Sequence, residues 1–220
     1  MELCKLIIFD LDGTLVDAYG AITRSFNFAM RSAGYAPLPA AAIRRAVGWG
    51  DKNLLAPFVA AADLDKTLAV YRRHHARSLI RHSRLFPSAQ SILARLKERK
   101  LLLAVASNRP TKFSRLLVRH LAIDRYFDYM LCADKLKKGK PHPAILQKIM
   151  AHFSVRPAET LYVGDMAIDA QAGRRARVKT VIVTTGSSAL AEIREQKPWK
   201  IIPALGRLSE VCMKTGAPAL

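Results

Sequence analysis

The chain has 220 residues, half of them hydrophobic, which is enough for a sizeable core in one domain or in one domain carrying an insertion. No apolar run approaches the roughly 18–20 residues of a membrane span, and the three cysteines (Cys4, Cys132, Cys212) lie far apart in apolar stretches, offer no metal-ligand spacing and read as buried free thiols. With 36 Lys+Arg against 17 Asp+Glu the net charge is +19, a field that draws anions without saying whether they are metabolites, nucleic acid or an anionic membrane.

The first element is the β-branched run "CKLIIF" (4–9), which reads as a strand. Asp10 and Asp12 cut this run short, so it does not resemble a signal peptide, and a cytoplasmic location is expected. From about Ala18 to Arg84 there is no obvious strand. Four helix-like stretches follow one another: "AITRSFNFAMRSAG", "PAAAIRRAV", "NLLAPFVAAA" and "LDKTLAVYRRHHARSLIRH". After "LFPSA" helices and strands alternate. "SAQSILARLKERK" precedes strand "LLLAVAS", "PTKFSRLLVRHL" precedes "YMLCA", "HPAILQKIMAHF" precedes "TLYVG", and "IDAQAGRRA" precedes "VKTVIVT", with a weaker strand at "WKIIP". Apolar strands alternating with helices predict an α/β fold with a doubly wound, mostly parallel, Rossmann-like sheet. The helical block is too long for a loop and is read as an inserted α-helical cap. The expected division is a core of 1–16 plus 87–220 and a cap of 17–86, hinged near 14–18 and 84–88.

In open α/β sheets ligands bind beyond the carboxyl ends of the strands. Asp10 and Asp12 follow the first strand, Ser107 and Asn108 follow "LLLAVA", and Asp165 follows "LYVG" with Asp169 four residues on. Segments more than 50 residues apart thus bring polar groups to one edge. A carboxylate is ionised at pH 7 and needs no base to act as a nucleophile. Its obstacle is a target that is itself an anion, such as a phosphate. Asp10 and Asp165 can hold a hard cation such as Mg²⁺ against that repulsion, and Lys140 adds a second positive charge. Ser107 and Asn108 offer a hydroxyl and an amide to phosphoryl oxygens, and Gly13 lets the backbone turn towards them. Asp12 is then free to act as general acid and later as general base.

Four stretches, "DLDGT" (10–14), "SN" (107–108), "KP" (140–141) and "GDMAID" (164–169), resemble in order and spacing the motifs of the haloacid dehalogenase-like hydrolases. The helical insert after the first motif resembles that family's helical cap class. "FDLDGTLVD", "VGWGDKNLL" and "KGKPHP" are similar to phosphoglycolate phosphatase-like members. The resemblance implies Asp10 as nucleophile and Mg²⁺ ligand, and Asp12 as acid/base with its backbone carbonyl on the metal. It also implies Asp165 as a metal ligand and Asp169 as a supporting acid. Gly13, Thr14, Ser107, Asn108 and Lys140 would be phosphate-binding residues. The substrate implied is a small phosphorylated metabolite, hydrolysed through an aspartyl-phosphate by a monomer or dimer. Met166 departs from the pattern, since many members carry Ser or Thr there.

Within the cap, "RRAVGWGDKN" (44–53) is expected to face the nucleophile, with Arg44, Arg45 or Lys52 meeting an acidic substrate; the alternative is a helix connection with a core Trp49. His74, His75 and His82 read as surface residues of a basic helix. The rivals are a phosphosugar mutase of the β-phosphoglucomutase type, a pyrophosphatase, a phospho-accepting switch and a basic nucleic-acid-binding protein. No binding-module signature accompanies the charge that the last would use.

Overall fold

In a computed structural model of the protein, residues 4–209 are described. Cys212 lies outside them, while Cys4 and Cys132 are buried free thiols. Strand β1 (Leu6–Phe9) is buried throughout and leads through a turn to the two-residue β2 (Val16–Asp17). Helices α1 (Tyr19–Ser32), α2 (Ala40–Ala46), α3 (Asp51–Leu55) and α4 (Leu64–His82) form the insert. The chain returns through β3 (Arg84–Leu85), then α5 (Ala89–Glu98), β4 (Leu102–Ser107), α6 (Thr111–His120), β5 (Tyr129–Cys132) and α7 (Ala144–Phe153). It continues through β6 (Thr160–Gly164), α8 (Ala167–Ala176), β7 (Lys179–Val183), α9 (Leu190–Glu195) and β8 (Lys200–Ile202).

The main sheet has the order β5-β4-β1-β6-β7-β8, and every pairing in it is parallel. Its strands are apolar on both faces because both faces are covered. Ile7 and Phe9 join one core with Leu93 of α5 and Leu117 of α6. Leu6 and Ile8 join another with Ile145 of α7 and Ala172 of α8. Alternation along the strand thus sends successive residues into different layers. From β1 the chain builds outwards through β4 and β5, then returns to the other side of β1 as β6. That reversal makes the ends of β1, β4 and β6 a topological switch point, where such sheets open a crevice.

The insert is bounded by an antiparallel pairing of β2 with β3, Val16 opposite Leu85 and Asp17 opposite Arg84. Two-residue strands carry no readable period, so the sequence does not announce them. The expected helix over 53–62 is instead α3 followed by two single 3₁₀ turns. Pro57 explains the break, because its ring clashes with the carbonyl one turn back and it has no N–H to donate. Helix α9 also escapes the sequence pattern, being a single short stretch. No helix among the described residues is long and apolar enough to cross a membrane.

Candidate active site

The turn after β1 is tight: Leu11 O accepts from the N–H groups of Thr14, Leu15 and Val16 at 3.3, 2.9 and 2.9 Å. Gly13 sits at φ +83°, and a Cβ there would lie 2.1 Å from Oδ2 of Asp165. The position therefore needs glycine twice over, for its backbone and for its space. Thr14 is fully buried, and its hydroxyl donates to Asp165 Oδ1 at 2.8 Å. Across the crevice the Thr185 hydroxyl donates to Gly13 O. A Cβ on Gly186 would also fall 2.1 Å from Asp165 Oδ2. Two glycines leave a cradle around this oxygen, and it is buried without a hydrogen-bond partner.

Behind Asp10 lies a buried ion cluster. Lys140 Nζ is 2.8 Å from Asp10 Oδ2 and 2.8 Å from Asp169 Oδ1, and it also donates to Ala106 O and the Tyr162 hydroxyl, both at 3.1 Å. Tyr162 in turn donates to Asp169 Oδ1 at 2.6 Å. The other oxygen of Asp169 accepts the backbone N–H groups of Asp165 and Met166 at the start of α8, at 3.2 and 3.0 Å. A charge at that end of the helix is favoured by its dipole. Burial works against the charged form of Lys140, but Asp10 and Asp169 together hold its pKa above the ordinary value. Burial also pushes Asp10 up to about 7, with Lys140 opposing the rise and Asp169 adding to it. Asp165 is raised well above the ordinary carboxylate range, first by burial and then by Asp169 and Asp10.

Oxygens of Asp10, Asp165 and Asp169 lie within 4.8 Å of one another. Asp169 is engaged by Lys140, Tyr162 and two N–H groups, whereas Asp165 Oδ2 has no partner beside Asp10. An all-oxygen donor set with an orphaned carboxylate oxygen suits a hard cation of the Mg²⁺ kind.

The remaining expected residues are at the same edge. Ser107 ends β4, is buried, and accepts the Arg109 N–H at 3.1 Å; helix α6 has no side-chain cap, so Ser107 is not one. Asn108 takes a different task from the one its sequence position suggests. Its Nδ2 donates to Gly48 O (2.8 Å) and Lys140 O (3.0 Å), and its Oδ1 accepts Lys140 N–H (2.8 Å), tying the cap loop and the Lys140 loop to β4. Thr14 similarly spends its hydroxyl proton on Asp165, and Lys140 spends its donors inside the ion cluster.

In the cap, Val47, Gly48, Gly50 and Asp51 line the cleft. The basic side chains of that stretch point elsewhere. Arg44 lies over the Tyr19 ring (4.0 Å) and donates to Thr185 O and Gly186 O, Arg45 pairs with Glu192, and Lys52 pairs with Asp65 at 3.2 Å. Trp49 is half exposed and so is not a core residue. Gly48 accommodates Met166, whose sulfur would be 2.6 Å from a Cβ there and accepts the Ser187 hydroxyl at 3.6 Å.

The cation that does reach the cleft is Arg109, which sequence reasoning missed. It follows the "SN" motif, but among 36 Lys and Arg nothing in the pattern marks it. Its Nε and Nη2 form a bidentate pair with Asp12 at 2.8 and 2.7 Å. Its Nη1 meets Nε2 of His75, a cap residue that is 2% exposed, not a surface group. The spacing of Leu68, Tyr71, His75 and Leu79 along α4 puts His75 on the buried stripe, a signal the sequence did contain. Tyr71 stacks on the imidazole at 4.8 Å, and Phe113 meets its edge at 5.3 Å. Burial first, then Arg109 and His74, press the His75 pKa down to about 2, so the ring is neutral. The Ser25 hydroxyl donates its single proton to Ala21 O (2.8 Å), so its oxygen accepts His75 Nδ1–H (3.1 Å), leaving Nε2 as acceptor for Arg109.

Comparison with known proteins places this geometry in a family. A profile describing haloacid dehalogenase-like hydrolases matches residues 7–183. A phosphoglycolate phosphatase of Rhodobacter capsulatus is 33% identical over 82% of this chain and 84% of its own length. One of Photorhabdus laumondii is 32% identical over 98% and 94%. Among solved structures, a predicted phosphoglycolate phosphatase from Haemophilus somnus superimposes with a TM-score of 0.90 at 27% identity, covering 96% of this chain and 99% of that one. The chain belongs to the haloacid dehalogenase-like hydrolases.

Proposed function

We propose that the protein is a Mg²⁺-dependent phosphatase of small phosphorylated metabolites of the phosphoglycolate type. The single observation that carries the reading is a pair of carboxylates with separate counter-ions at one cleft: Asp10 backed by Lys140, and Asp12 held by Arg109. The curated relatives, named phosphoglycolate phosphatases, support the substrate class.

Asp10 attacks phosphorus, the P–O bond of the ester breaks, and Asp12 gives its proton to the departing alkoxide. Water then attacks the aspartyl-phosphate. Asp12 takes the water's proton, phosphate leaves and Asp10 is restored. Asp10, Asp165 and the Asp12 carbonyl would hold Mg²⁺, which supplies positive charge against the phosphoryl oxygens. Lys140 neutralises Asp10 from behind, and Asp169 keeps Lys140 charged and in place. Ser107 faces the phosphoryl group from the end of β4, Thr14 orients Asp165, and Asn108 holds the Lys140 loop. Residues 17–86 act as the cap that covers the substrate, with the β2–β3 pair as its stem.

The test is phosphate release from phosphoglycolate, sugar phosphates, nucleotides and pyrophosphate with Mg²⁺, with Asp10→Asn as the blank. Release from phosphoglycolate favoured by about 100-fold in kcat/KM corresponds to about 2.7 kcal/mol of transition-state discrimination and supports the reading. No release above the blank, or an isomerised sugar phosphate in place of free phosphate, overturns it.

A further inference from the structure

The Asp12–Arg109 pair poses a chemical problem. Both oxygens of Asp12 are occupied by the guanidinium, yet an acid/base group must turn one of them towards the leaving oxygen. Something has to draw Arg109 away. Three of its five N–H donors are engaged, by Asp12 twice and by His75 once, and two are left. Arg109 is itself 7% exposed, and it is the only Lys or Arg among the described residues lining the cleft. The wall beyond it is apolar, made by Ile22, Leu54 and Phe113. An uncharged polar group there would find few partners; an anion would find a desolvated guanidinium with donors to spare.

Building on the phosphatase reading, we infer that Arg109 is the specificity-determining residue, and that it selects phosphomonoesters whose leaving alkoxide carries a carboxylate. When Asp10 faces phosphorus and Asp12 faces the ester oxygen, a carboxylate one carbon beyond that oxygen lies on the Arg109 side of Asp12. It competes with Asp12 for the guanidinium and, in taking it, frees an Asp12 oxygen to hold the proton for the leaving group. Binding the right substrate and releasing the acid are then one event. A neutral ester leaves Arg109 on Asp12. His75 completes the arrangement from the cap: its neutral ring, fixed by Ser25, offers Arg109 a lone pair and no competing charge. The carboxylate is therefore read only when α4 covers the site.

The experiment compares phosphoglycolate with 2-hydroxyethyl phosphate, which replaces the carboxylate by a neutral alcohol, in the wild type and in Arg109→Met. Any effect on Asp12 that is common to both esters cancels in the ratio of their kcat/KM values. The wild type is expected to favour phosphoglycolate, and Arg109→Met to reduce that preference about 100-fold, with Arg109→Lys retaining part of it. The loss on phosphoglycolate falls chiefly in KM, because its carboxylate no longer meets a guanidinium, whereas Asp12 is unblocked in Arg109→Met whichever ester is bound. If the two esters slow equally in Arg109→Met, Arg109 serves Asp12 alone and the inference is overturned. A wild type that hydrolyses both esters without preference overturns it too, while leaving the phosphatase reading standing. Release from neither ester removes that reading itself. Should Arg109→Met fail to fold, Arg109→Lys and His75→Leu decide: each must lower the preference for phosphoglycolate, and an unchanged ratio in both refutes the proposal.

Discussion

Lowering the pH from 8 to 5 should remove a stabilising contribution that comes from one residue, His75. In the folded chain its pKa is pressed from 6.5 to about 2, by burial first and then by Arg109 and His74. The groups packed around it, Tyr71, Phe113, Ser25, His74 and Arg109, offer no carboxylate to accept a charged ring. The unfolded chain takes up a proton below pH 6.5 and the folded chain does not. The stabilising contribution is therefore complete above that value and is lost as the pH falls through it. Over the 1.5 units from pH 6.5 to 5 the loss is about 2 kcal/mol. For a chain of this length that is roughly 4–8 °C in Tm. The comparison partner is His75→Gln, which keeps an acceptor for Arg109 but does not titrate. Urea midpoints at pH 8 and 5 should show the wild type losing about 2 kcal/mol more than His75→Gln over that interval. Titration of the other histidines and of the acidic cluster is shared and cancels. Equal losses in the two proteins would refute a neutral, enclosed imidazole.

The acidic cluster carries the opposite sign. Because the folded-state pKa values of Asp10 and Asp165 are raised, their ionisation favours unfolding, and stability is lost as the pH rises through those values. Mg²⁺ should therefore raise Tm more at pH 8 than at pH 5, and Asp165→Asn should raise the metal-free Tm at pH 8 while removing the Mg²⁺ increment; calorimetry showing the same increment at both pH values would contradict this. Arg45→Ala should leave the ranking of substrates unchanged and barely alter stability, since Arg45 meets Glu192 at the surface and not the cleft. A reordered ranking in the substrate panel would show that Arg45 reaches the ligand after all.

Much of the fold could be read from one dimension. The apolar runs 160–164 and 102–107 are strands because both faces of a parallel sheet are buried, and that demand is written residue by residue. Helix α4 spans the whole of the stretch "LDKTLAVYRRHHARSLIRH", whose periodicity is local. Asp10, Asp12, Ser107, Asp165 and Asp169 were legible because strand ends are legible, and strand ends converge at the switch point of such a sheet. What the sequence did not contain was the choice among chemically alike residues. Arg44, Arg45 and Lys52 read as cations near the site, while Arg109, next to the "SN" motif, is not singled out by any pattern. Packing sends the first two to the β7–α9 loop, leaves the third with Asp65 and buries the fourth against Asp12. Local pattern specifies where a side chain leaves the backbone; which partner it meets depends on segments that only the closed fold brings together. Arg109 meets Asp12 across 97 residues and His75 across 34, so its role was decided by tertiary structure alone.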